Sequence, residues 1–171
     1  AGAGGNKGFP NLLDNDWLHG GTIDQVYLDV QHGIRDPLDP DTNPAAAMPA
    51  HLTDGLLDAT QIGDVVQYVL QISGQSADAA KATAGAQVFA DNCTACHGED
   101  AKGMPEMGAP NLTDAIWLYG GDEATITKTV EFGRAGVMPS WSYAPEGGTP
   151  RLNDAQIRAV AAYVHSLGGG Q

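Results

Sequence analysis

Two thiols three positions apart, Cys93 and Cys96, are followed at once by the imidazole of His97. They close the run Phe89-Ala90-Asp91-Asn92-Cys93-Thr94-Ala95-Cys96-His97-Gly98, in which a helical pattern gives way to a turn. Cysteines at this spacing reach the two vinyl groups of a single porphyrin and form thioethers, and the adjacent histidine then lies under the iron as an axial ligand. The expected cofactor is haem c, covalently attached at Cys93 and Cys96 with His97 on the iron. Two other chemistries use paired cysteines. A redox dithiol sits within a strand-helix-strand pattern, which this sequence lacks, and a zinc site needs two further ligands. The remaining histidines, His19, His32, His51 and His165, form no pair at zinc-ligand spacing.

An iron that exchanges electrons with little rearrangement needs a sixth ligand, and a thioether also raises its potential. The chain has four methionines. Met48 and Met138 each precede a proline and occupy matching places in a repeat described below, so they are the candidate axial ligands. Chain order assigns Met138 to the haem of Cys93, although the same spacing also allows the two methionines to be crossed between haems. Met104 and Met107 follow His97 closely in a Gly- and Pro-rich loop and read as loop packing. Arg35 and Arg134 flank matching glycines and are candidate partners for haem propionates, with a plain surface role the alternative. Trp17 and Trp117 are expected to pack on a porphyrin edge, or to turn an indole N–H toward a propionate. His19 and His32 have Tyr119 and Phe132 as counterparts, so neither is a shared ligand.

The elements that carry these residues come in duplicate. Shifting the sequence by 100 positions aligns Gly8, Pro10, Asn11, Leu12, Asp14, Trp17, Leu18, Gly20, Gly21, Val30 and Gly33 with Gly108, Pro110, Asn111, Leu112, Asp114, Trp117, Leu118, Gly120, Gly121, Val130 and Gly133. An ungapped match that includes a tryptophan marks an internal repeat. The repeat resumes at Met48-Pro49 and Met138-Pro139 and ends in two predicted helices. Asp58 and Asn153 are N-cap candidates with Gln61 and Gln156 three residues on. Ile62, Val65, Val66, Val69 and Ile157, Val160, Ala161, Val164 then recur at helical spacing. Gly74 and Gly168 are stop signals.

Shorter helices are predicted over Ile23–His32 and Glu123–Phe132, and one over Ala79 to about Asn92 opens the second repeat. Tyr163 is expected to pack on the Gly85 to Phe89 face of that opening helix. The expected domains are 1–74, a linker at 75–78, and 79–171. The fold class is all-α. The first repeat lacks a counterpart of the opening helix, and the alignment would put its own Cys-x-x-Cys-His shortly before Ala1.

With 171 residues, three Phe and three Trp, two such domains would have thin cores that want a cofactor. The formal charge of −13 argues against nucleic acid and favours a cationic protein partner. No stretch approaches the roughly 20 apolar residues of a membrane span, and the first residues do not read as a signal peptide. The chain as it stands is expected to be soluble, and mature or truncated.

The opening helix with its Cys-x-x-Cys-His, the closing helix and the late methionine together resemble the class I cytochrome c fold. The strings Gly8-Phe9-Pro10-Asn11-Leu12, Asp16-Trp17-Leu18, Gly20-Gly21, His32-Gly33-Ile34-Arg35 and Met48-Pro49-Ala50 are similar to the dihaem subunit III of cbb(3)-type cytochrome c oxidases. So are Pro110-Asn111-Leu112, Trp117-Leu118-Tyr119-Gly120-Gly121, Met138-Pro139 and Trp141 in the second half. The resemblance implies two tandem class I cytochrome c domains, the first without its haem-attachment helix in this chain. It implies haem contacts from Pro110, Leu112 and Trp117, and from Pro10, Leu12 and Trp17 to a second haem c in the full-length protein. It further implies an electron relay with no catalytic site of its own. Electrons would enter from a cationic donor cytochrome c and leave to the other oxidase subunits. The setting would be the periplasmic side of a bacterial inner membrane, with a membrane anchor absent from this chain. A free periplasmic dihaem carrier, or the haem domain of a dehydrogenase, would need the same motifs. A peroxidase fits less well, because it wants an exchangeable iron position.

Overall fold

The structure is a computed structural model, and it describes residues 2–144 and 148–168. Among these residues the regular structure is helical: α1 (Ile23–His32), α2 (Ala59–Ile72), α3 (Ala79–Asn92), α4 (Thr94–His97), α5 (Glu123–Phe132) and α6 (Asp154–Ser166), with a 3-10 turn at Pro105–Met107. Extended pairing is confined to isolated bridges. The predicted caps form as written. Asp58 and Asn153 accept from the backbone N–H groups of Gln61 and Gln156, whose side chains return the bond, and Thr22 does the same with Gln25.

The described residues gather into two compact units, and these do not follow chain order. One comprises residues 1–46 and 135–171, the other 47–134. The segment 75–78, expected to be a linker, lies inside the second unit. It joins α2 to α3, and it is tied down by the Asp78 N–H donating to the buried Gln67 side chain at 2.8 Å.

In the unit of residues 47–134, α2 packs along α3 and against α5. Its core holds Leu57, Ile62, Val65, Val66, Val69, Leu70, Phe89, Ala101, Ile126 and Val130. The crossing of α2 and α3 is close because position 85 is glycine. A Cβ there would collide with the carbonyl of Asp64, so no larger residue permits this approach. Phe89 and Tyr68 complete the crossing with ring centroids 5.3 Å apart. The aromatic on the Gly85 to Phe89 face is therefore Tyr68 and not Tyr163, which belongs to the other unit and is 64% exposed.

In the unit of residues 1–46 and 135–171, α1 packs on α6. Val26, Val30, Ile34, Ile157 and Ala161 are buried, and the Tyr27 hydroxyl donates to Asp154 at 2.7 Å. Ser140 donates its N–H to the buried Asp36 carboxylate at 2.7 Å, which fixes the chain just beyond Met138.

Candidate haem-attachment site

The attachment motif is one helical turn appended to α3. The Cys93 N–H donates to the Phe89 carbonyl at 2.8 Å, and the His97 N–H to the Cys93 carbonyl at 2.9 Å. This turn fixes the spacing of the two thiols and the imidazole. Gly98, at φ 78°, ends it with a backbone that L side chains rarely adopt. Behind it the loop returns to the motif: Gly103 donates to the His97 carbonyl at 2.9 Å, and Leu112 to the Ala101 carbonyl at 2.8 Å.

The His97 Nδ1–H donates to the Pro110 carbonyl at 3.0 Å, which fixes the tautomer and leaves Nε2 as the ligating atom. Burial lowers the pKa of His97, the Pro110 carbonyl opposes this, and the nearby His51 reinforces it. A neutral imidazole is the form that binds a metal. Burial, with Cys96 second, pushes the Cys93 thiol up to about 11, so it is not the low-pKa thiolate of a redox dithiol. Both cysteines are free, as thioether formation requires.

Met48, Cys93, Leu112 and Trp117 all pack against the core that holds Phe89. Met48 is pinned there by its backbone, its N–H donating to the Arg134 carbonyl at 2.9 Å and its carbonyl accepting from the Arg134 N–H at 3.2 Å. Gly133 allows this approach, since a Cβ would strike the Met48 carbonyl. Arg134 itself stacks over Tyr119, 4.1 Å from the ring centroid, and bonds Thr129. His51, three residues past Met48, is 4% exposed, and its Nδ1 has no hydrogen-bond partner. Two free thiols, a ligand-ready imidazole, a methionine and a buried polar atom in want of a partner fit a haem.

Met138 lies in the other unit, paired to Ile34 through N–H and carbonyl at 3.0 and 2.9 Å. Leu12 and Trp17 are half-buried in that unit and Pro10 is exposed. The Trp17 Nε1 and His19 Nδ1 atoms are buried without partners. Arg35 donates from Nε to the Gly136 carbonyl at 2.7 Å, and from Nη1 to Ala45 at 3.3 Å. His32 pairs with Asp39 at 3.2 Å. In both units the second glycine of the Gly-Gly pair lets a tryptophan ring lie against the backbone, Trp17 on Gly21 and Trp117 on Gly121.

The buried His51 was missed from sequence. The position of His51 just beyond Met48-Pro49 was the available signal. Its repeat counterpart is Trp141, which hid it.

A helical fold whose cysteine- and histidine-bearing turn and a methionine flank one core defines a c-type cytochrome. A family model described as cytochrome c matches residues 82–168, half of the chain, and the chain belongs to the cytochrome c family. The matched stretch includes the attachment motif and runs through residues of both units. The chain is 75% identical over its full length to the cbb3-type cytochrome c oxidase subunit CcoP of Rhodobacter capsulatus. It is 58% identical to the CcoP of Cereibacter sphaeroides, also over its full length. Identity to the subunit FixP of a Bradyrhizobium species is 52%, over 99% of the chain. The chain spans 58% of the length of the first relative and 56% of the other two.

Proposed function

We propose that this chain is the haem-bearing part of a cbb(3)-type oxidase subunit, and that it relays single electrons from a donor cytochrome c to the other subunits of the oxidase. The observation that carries the reading is the shared core of Met48, Cys93, Leu112 and Trp117 beside a His97 whose ring is set by Pro110. Bound haem supplies the one-electron ferric/ferrous couple. Cys93 and Cys96 would hold it covalently, with His97, through Nε2, and Met48 as the residues offered to the iron, so the methionine would come from before the attachment motif in the chain. Pro110, Leu112 and Trp117 would line it. His51 Nδ1 and Arg134 are the candidate partners in the same unit for a propionate. A chain that offers both an imidazole and a thioether to the iron would suit a relay and not a catalyst.

A second haem c is expected in the full-length protein, lined by Pro10, Leu12 and Trp17, with Met138 as its methionine and Arg35 at its edge. Its support is the pair of buried, unpartnered atoms Trp17 Nε1 and His19 Nδ1 in the unit that holds Met138. An acidic chain of charge −13 suits a cationic donor. The relatives' printed names support a place among oxidase subunits. The remaining fraction of the protein would supply the membrane anchor, and this chain would face the periplasm.

The test uses an oxidase complex containing the full-length subunit. Changing Cys93 and Cys96 to Ala should remove the haem attached here and lower oxygen uptake driven by reduced cytochrome c at least tenfold. Uptake unchanged in a complex that retains all its subunits would contradict the relay.

A further inference from the structure

The segment that carries Met48 is anchored on the end of α5 and the residue just past it. The Met48 N–H donates to the Arg134 carbonyl at 2.9 Å, and the Met48 carbonyl accepts from the Arg134 N–H at 3.2 Å. Further along, the N–H groups of His51 and Leu52 donate to the carbonyls of Val130 and Glu131 at 3.1 and 3.2 Å. The position of the Arg134 backbone therefore decides where the Met48 thioether stands. In the other unit the matching clamp is Ile34, bonded to Met138 at 2.9 and 3.0 Å. Burial holds that clamp, since Ile34 is only 8% exposed. An arginine cannot be held in this way, because its charged head resists burial and its long side chain keeps its rotational freedom unless it is bonded.

Two other side chains hold Arg134. The Thr129 hydroxyl oxygen accepts from Nε at 3.0 Å and from Nη2 at 2.7 Å. The guanidinium also lies over the Tyr119 ring, 4.1 Å from its centroid. Thr129 is itself fixed by the helix end, where its carbonyl accepts from the Gly133 N–H at 2.9 Å. In the repeat the counterparts of Tyr119 and Thr129 are His19 and Asp29. Asp29 accepts from the Asn43 side chain at 3.0 Å, so the two methionine segments are secured by different means.

We propose that Thr129 and Tyr119 are positioning residues for the axial thioether of Met48, acting through Arg134. Holding the guanidinium limits the motion of the Arg134 backbone, and with it the motion of the segment it clamps. A nitrogen base that competes for the iron should then displace a loosely held thioether more readily than a clamped one. This rests on Met48 as the ligand proposed above.

The experiment is an imidazole titration of the ferric, haem-loaded full-length subunit. The signal followed is the part of the methionine-to-iron charge-transfer band that Met48→His removes. Thr129→Val should lower the imidazole concentration at half-loss roughly tenfold, and Tyr119→Leu by a smaller factor. Thr129→Ser and Tyr119→Phe, which keep the hydroxyl and the ring, should restore the original midpoint. In an Arg134→Leu background, Thr129→Val should add nothing. Thr127→Val removes a hydroxyl of the same helix that donates to the Glu123 carbonyl at 2.8 Å, and it should leave the midpoint in place. An unmoved midpoint in both Thr129→Val and Tyr119→Leu would overturn the proposal. So would equal shifts in Thr127→Val and Thr129→Val, or an additive shift in the Arg134→Leu background. If Met48→His leaves the whole band intact, the ligand assignment falls and the positioning role with it. If Met48→His removes its part of the band while Thr129→Val and Tyr119→Leu change nothing, the positioning role alone falls.

Discussion

The chemical state of His97 is set by its neighbours: burial and His51 favour the neutral ring, and the Pro110 carbonyl chooses its tautomer. Two other residues show the same competition where it can be measured. Burial raises the Asp29 carboxyl to about 6, against the opposing hydrogen bond from Asn43, so its contribution is full at low pH and is lost as pH rises through 6. Burial and then the charge of Arg35 lower His19 to about 4, so its contribution is full above the usual 6.5 and is lost as pH falls toward 4. The two slopes oppose one another in the same unit. Asp29→Asn should therefore expose the His19 slope, with stability in urea rising by about 1 to 2 kcal/mol from pH 4 to 6.5. His19→Gln should tilt the profile the other way, and two flat profiles would contradict both assignments. At this scale the cysteines and His97 were legible from spacing, because thioether attachment demands it. Which methionine belongs with them was not, since repeat position is the same for Met48 and Met138.

The helices were legible almost to the residue, because their caps are local. Thr22, Asp58 and Asn153 each bond three residues on, and nothing distant decides that. Partner choice between helices is not local. Tyr68 and Tyr163 occupy matching positions on α2 and α6, yet only Tyr68 meets Phe89. Tyr68→Ala should cost about 3 kcal/mol of thermal stability in the unit of residues 47–134, and Tyr163→Ala less than about 0.5 kcal/mol in this chain. Equal losses would mean that both tyrosines pack alike. Gly85→Ala adds only a methyl group, but it meets the Asp64 backbone, which has no rotamer to escape by. It should destabilise that unit by about 1 to 3 kcal/mol, read from the loss of haem absorbance on heating. A neutral result would deny the close crossing of α2 and α3.

The chain as a whole carries −13, and long-range attraction to a cationic partner weakens as salt shortens the screening length. Electron exchange with a cationic cytochrome c should therefore slow roughly tenfold between about 10 mM and 300 mM salt, followed by stopped-flow absorbance, and a salt-independent rate would deny the steering. The order of segments is the other property of the whole. Residues 1–46 keep company with residues 135–171, and the stretch between them forms its own unit. The repeat was visible at a shift of 100 positions, but a repeat pattern looks the same whether its halves fold in order or exchange partners. The pairing of Arg134 with Met48 and of Ile34 with Met138 decides it, through backbone bonds that no side-chain pattern encodes. The most direct test is to place histidine at each methionine in turn, in haem-loaded protein of residues 1–171, and to titrate the haem of Cys93 potentiometrically while watching its methionine-to-iron charge-transfer band. Met48→His should abolish the band and lower the potential, because imidazole favours ferric iron more than thioether does, and Met138→His should change neither. The reverse outcome, with Met138→His abolishing the band and Met48→His leaving it, would contradict the account.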